Sequence, residues 1–217
     1  MKKIYQYLSV VTLLIILTTY SCNRSENETV LNKITPTSES LSENSDFQNL
    51  VLLIENQANK TTNLTELRIL HKKNKLDEAE KLKFYHFLGF KNELSFIQYE
   101  NDIIAINNKL ALTYDFTKFT EPQKTDLIIG ALNKSKMTSS KAGPCETIYS
   151  GCRRSALGVH IATTAACIAG GVGIAGLSFG IAAPLGGALA GACAAGSQIA
   201  YEGNIAVCNG NYQQCHN

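Results

Sequence analysis

CIAGGVGIAGLSFGIAAPLGGALAGAC, residues 167 to 193, is built from Gly, Ala and aliphatic side chains, carries no charge, and begins and ends on cysteine. It sits inside a longer run, 155–201, that contains no Asp, Glu, Lys or Arg and whose sole imidazole is His160. Working outward, the next cysteines are Cys152 and Cys208, then Cys145 and Cys215, so that successive spacings read 7, 15, 26, 15 and 7 and the six are symmetric about Gly180. Six cysteines permit many pairings, but a helical hairpin gives this symmetry a cause. At about 100° per residue, 7 residues complete nearly two turns and 15 slightly more than four, so the three cysteines of each arm share a face. Folding the arms at the midpoint brings each cysteine to its mirror partner. The expected disulfides are Cys145–Cys215, Cys152–Cys208 and Cys167–Cys193. Disulfide geometry demands Cα atoms within about 7 Å, and small neighbours such as Ala165, Ala166, Ala192 and Ala194 let the arms approach that closely.

Zinc is the competing use of cysteine, yet the closely spaced C-x₂-C or C-x₄-C pairs of structural zinc sites do not occur. No metal is expected. Glycine density in the run favours close helix contact over a stable isolated helix, since each interior Gly costs about 1 kcal/mol relative to Ala. Gly176 with Gly180, and Gly187 with Gly191, have the GxxxG spacing that allows two backbones to touch. Each half of the run is long enough to span a bilayer, while Ser155, Thr163, Thr164, Ser178, Ser197 and Gln198 dilute it. Both a lipid-inserted hairpin and one packed on its own protein are therefore expected readings. Gly171, Gly173 and Gly176 spell G-x-G-x-x-G, but no acid follows until Glu202 and no strand precedes them, so a dinucleotide cofactor is not expected.

N-terminal to this hairpin, residues 134–144 (KSKMTSSKAGP) have the small, polar, Pro-terminated character of a linker. Residues 46–133 carry helical periodicity. Phe47, Leu50, Val51 and Ile54 form one stripe, and Leu64, Leu67 and Leu70 or His71 another. Leu82, Tyr85 and Leu88 precede a break at Gly89, and Leu94, Ile97, Ile104 and Leu110 or Ala111 follow it. Thr120 is placed as an N-cap, with Pro122 in the first turn and Gln123 completing a capping box ahead of Leu127, Ile128 and Leu132. Four or five helices in a small bundle result. His71 and His86 lack a second pair of ligands nearby. Asp77, Glu78 and Glu80 read as a solvated first helical turn favoured by the helix dipole. The expected fold is all-α: a small helical bundle, then a disulfide-stapled antiparallel helical hairpin over 145–217.

The chain of 217 residues has a formal net charge of +2 and a pI near 8.1, which does not point to nucleic acid. Its first 21 residues place Lys2 and Lys3 before an apolar core, Leu8 to Leu17, and then Thr18, Thr19, Tyr20 and Ser21 before Cys22. That layout is an export signal. It resembles a bacterial lipoprotein signal peptide, which implies cleavage before Cys22 and acylation of that cysteine with chains such as palmitate. Residues 22–45 are polar and read as a flexible tether. With Cys22 lipidated, six cysteines remain for an oxidising compartment, which fits three disulfides. The expected location is the cell envelope, anchored in the membrane through the N-terminal lipid, with the 155–201 hairpin as a second candidate membrane contact and a secreted C-terminal fragment as a further product.

The C-terminal segment, GPCETIYSGCRRSALGVHIATTAACIAGG onward to GACAAGSQIAYEGNIAVCNGNYQQCHN, resembles bacteriocin-like peptides of the halocin type, Gly- and Ala-rich and disulfide-stabilised; its CNGNY is similar to the close of fulvocin. The resemblance implies a membrane-active peptide freed by cleavage in 134–144, with the helical region as leader or immunity-like partner. The alternative is a non-catalytic envelope lipoprotein acting as a binding or structural module. No Ser-His-Asp context, H-E-x-x-H or P-loop occurs, so no enzymatic role and no cofactor are expected.

Overall fold

Helix starts along the chain coincide with side chains that can accept from orphan backbone N–H groups. The computed structural model describes residues 33–73, 75–135, 143–169 and 187–216. Among these it contains eight α-helices: α1 Ser38–Glu43, α2 Ser45–Ala58, α3 Leu64–His71, α4 Glu78–Phe87, α5 Glu93–Thr113, α6 Glu121–Lys134, α7 Pro144–Ala169 and α8 Gly187–His216. A short 3₁₀ turn, Phe116–Lys118, joins α5 to α6. Asp77 caps α4 by accepting from the Glu80 N–H at 2.8 Å, and Glu80 accepts in return from the Asp77 N–H at 3.2 Å. At the start of α6, Gln123 accepts from the Thr120 N–H at 2.8 Å and from its hydroxyl at 3.0 Å. Gly89 ends α4 in the left-handed region at φ +84°, a conformation that glycine adopts without the penalty other residues incur.

The all-α bundle followed by a disulfide-stapled hairpin is present, with α7 and α8 as the hairpin's two arms. Phe47, Leu50, Val51, Ile54, Leu67 and Leu70 enter the core as their periodicity predicts, and so do Leu127, Ile128 and Leu132. At α4, Tyr85 and Leu88 of the expected stripe are buried but Leu82 is 46% exposed, and two further expectations need correction. On α5 the buried stripe is Phe96, Tyr99, Ile103, Asn107 and Leu110, while Leu94 is 72% and Ile97 38% exposed. Aromatic packing decides this: Phe90 meets Phe96 edge-on at 5.2 Å, and Tyr85 lies 5.6 Å from the same ring. Secondly, the tether read over 22–45 does not reach Asp46. Residues 38–43 are helical, Leu41 is only 1% exposed, and the Tyr114 hydroxyl donates to the Ser40 carbonyl at 2.8 Å.

The described residues all belong to one compact unit. Helix α7 packs on α6 and α5, and α8 reaches α3. Buried side chains of the hairpin (Ala156, Leu157, Ile161, Ile168, Ala195 and Tyr201) continue the hydrophobic cluster that includes Leu67, Phe96 and Ile103 of the bundle. Gly158 of α7 lies so close to Ile129 of α6 that a β-carbon there would stand 2.6 Å from Ile129 Cγ1. Of the two expected readings of the uncharged run, the described parts of both arms follow the second and pack on their own protein. Among the described residues no helix is long and apolar enough to cross a membrane.

Candidate functional site

Cysteine positions on α7 and α8 set the hairpin's register. Cys145, Cys152 and Cys167 project from α7, and Cys215, Cys208 and Cys193 from α8, forming Cys145–Cys215, Cys152–Cys208 and Cys167–Cys193 with Cα–Cα distances of 5.8, 5.7 and 5.6 Å. The ladder is the mirror pairing that the spacing predicts. Its outer rung is accessible at Cys215, whereas Cys208 is 1% and Cys167 6% exposed. Near the outer rung, the Tyr149 hydroxyl donates to Asn209 Oδ1 at 2.8 Å and its ring lies 4.7 Å from that of Tyr212.

Between the middle and inner rungs the arms enclose a polar cluster. His160 Nδ1 lies 2.8 Å from Ser197 Oγ, Thr164 Oγ1 lies 3.2 Å from the same hydroxyl, and Tyr201 stacks on the imidazole at 4.8 Å. Burial pushes the His160 pKa down to about 4 against a smaller opposing effect of its bond to Ser197, so the ring is neutral at physiological pH. Gln198 donates to the Ala58 carbonyl at 3.2 Å, tying α8 to the end of α2. A cavity of about 500 Å³ opens beside the cluster, lined chiefly by Ala156, Val159, Ala192, Gly196 and Ala200 and edged by His71. Among the described residues no Asp or Glu hydrogen-bonds to His160 or Ser197; the arrangement holds two helices in register through neutral polar groups.

These polar residues were missed as a group because Ser197 and Gln198 read only as dilution of an apolar run. A signal was present: His160 and Ser197 lie within one helical turn of mirror positions about Gly180, the same symmetry that pairs the cysteines. Gly191 of the expected packing set is buried, but it faces the bundle; a β-carbon there would meet Phe96 and Phe84 at 3.6 and 3.7 Å. Gly187 opens α8. Gly176, Gly180 and the lipidation candidate Cys22 lie outside the described residues. Among the described residues no three His, Cys, Asp or Glu side chains converge as metal ligands. No protein-family model matches the chain, and neither does any curated protein or solved structure.

Proposed function

We propose that this chain is an exported, lipid-anchored protein of the bacterial envelope that carries a membrane-active, bacteriocin-like hairpin masked by its own helical bundle. The observation that supports this reading is the continuous core: the apolar side of the stapled hairpin is covered by bundle residues. Three disulfides would keep α7 and α8 together after a cut in 134–144, so the unit that leaves the bundle would be the intact hairpin with its apolar face exposed. Such a face favours transfer into lipid. The test is a specific protease site placed within 136–142 of the full oxidised chain. Dye-loaded anionic vesicles should leak, or related bacteria stop growing, only after the cut. A cut protein with all three disulfides verified that does neither rules the reading out.

The second reading, a non-catalytic binding or structural module of the envelope, is favoured by the closeness of the Gly158–Ile129 contact and by the Gln198–Ala58 hydrogen bond. These are features of a permanent interior. Under it, the cut fragments stay associated through gel filtration.

A further inference from the structure

We propose that a second pocket, between the bundle and the hairpin and bounded by Glu55 of α2 and Arg153 of α7, binds a small zwitterion of the aliphatic amino-acid type. The pocket has a volume of about 280 Å³, at the small end of the range for ligand sites, roughly 300–1,000 Å³. Its apolar wall comes from Val51, Leu132 and Leu157, contributed by three different helices and each nearly inaccessible to solvent.

The charges in this pocket carry the inference. Arg153 and Glu55 line the same cavity, yet they do not form an ion pair with each other, and neither is joined to any other charged side chain among the described residues. A direct pair between a surface Arg and Glu gains little, so both groups can turn to a ligand without a large loss. Two opposite charges that line one cavity without pairing leave room for a ligand that bears both. Arg153 is restrained on its other side by the Tyr149 ring, whose centroid is 5.7 Å from the guanidinium carbon. Tyr201 lines the same pocket and its hydroxyl feels both charges: burial raises its pKa most, Arg153 acts against this and Glu55 adds to it. Arg154 lines the pocket as well. A carboxylate is the group that a guanidinium fork binds best. Glu55 is the acceptor for the ammonium, and the aliphatic side chain lies along Val51, Leu132 and Leu157.

This site does not depend on the hairpin being membrane-active, and its test can fail while that reading stands. Calorimetric titration of the full oxidised chain with leucine and with trileucine separates a free amino acid from a peptide end; saturable binding of either supports the site. 4-Methylpentanoate, which lacks the ammonium, and 3-methylbutylamine, which lacks the carboxylate, should each bind about tenfold more weakly or less, since each leaves one charged wall unmatched. Arg153→Gln and Glu55→Gln should lower affinity for the zwitterion by about tenfold with circular dichroism and thermal transition unchanged. The proposal is overturned if neither zwitterion binds saturably, if either single-charge analogue binds as well, or if both variants retain the parent affinity.

Discussion

His160 and Ser197 meet across the hairpin with Nδ1 and Oγ 2.8 Å apart, and both side chains are nearly inaccessible to solvent. The contact is polar, but its energetics are governed by what protonation would do. His160 has a folded pKa of about 4 against an ordinary value of 6.5, so between these values the unfolded chain binds more protons than the folded one. Stability is full above about pH 6.5 and falls as the pH drops towards 4, by about 3 kcal/mol over the whole window. Glu100 works in the opposite sense: burial, then the Glu93 charge, raise its pKa from 4.5 to about 7, so its contribution weakens as pH rises through that range. Urea denaturation of the parent and of His160→Gln from pH 4 to 7 separates the two. The variant should lose the acid-side decline; an unchanged pH slope would refute the assignment.

The three rungs of the ladder should be reduced in a definite order. Cys215 is exposed and sits at the end of α8, where fraying costs little, whereas Cys208 and Cys167 are buried in the folded chain. A thiolate must reach sulfur in order to exchange with it. Stepwise treatment with a soluble reductant, followed by alkylation and mass spectrometry, should label Cys145 and Cys215 first and the other four later, since each inner rung has one buried and one half-buried cysteine. Each rung closes a long loop, and removing one should cost about 2–4 kcal/mol. Early labelling of Cys167 and Cys193 would contradict the order.

Why the ladder was legible and other features were not follows from the range of the interactions involved. Disulfides impose a short Cα distance at fixed helical phase, so the positions of Cys145 to Cys215 carry their own pairing. Thr120 with Gln123 was equally legible, since a capping box spans three residues. On α5, however, Leu94–Ile97 and Phe96–Tyr99–Ile103 are both plausible apolar stripes. The choice between them is made by Phe90 and Tyr85, which precede the helix. Leu41 has no periodic partner among the Ser and Glu of 38–43, and its burial comes from the packing of α1 on α6, some 80 positions further along the chain. His160 and Ser197 were hidden for the same reason: each looks like an interruption until the hairpin is closed.

Glycine in α7 offers an internal comparison of steric and conformational effects. A β-carbon at Gly158 would stand 2.6 Å from Ile129 Cγ1, whereas at Gly151 nothing lies within 4 Å. Gly158→Ala should therefore destabilise by about 1–3 kcal/mol, through forced displacement of α6 from α7. Gly151→Ala should stabilise by about 0.5–1 kcal/mol, through reduced freedom of the unfolded chain and better helix propensity. Thermal unfolding of the two single variants checks both signs. Equal effects would show that α6 and α7 do not approach as closely as Gly158 requires.

Asn107 presents the opposite situation, a polar side chain where an apolar one would serve. It is on the core stripe of α5 with 0% exposure, and neither its amide nitrogen nor its amide oxygen has a hydrogen-bond partner among the described residues. Desolvating such a group without compensation costs about 1–3 kcal/mol. Leucine has the same branching and nearly the same length, and its neighbours on the stripe, Ile103 and Leu110, are fully buried aliphatics. Asn107→Leu should consequently raise the unfolding free energy by about 1–3 kcal/mol and the Tm by several degrees. Asn107→Asp, which substitutes a charge into the same unpartnered space, should lower stability at neutral pH and recover part of it in acid as the carboxyl protonates. A neutral or destabilising Leu variant together with a tolerated Asp would show that the amide is satisfied in solution, and the core between α5 and its neighbours would then be wet at that position.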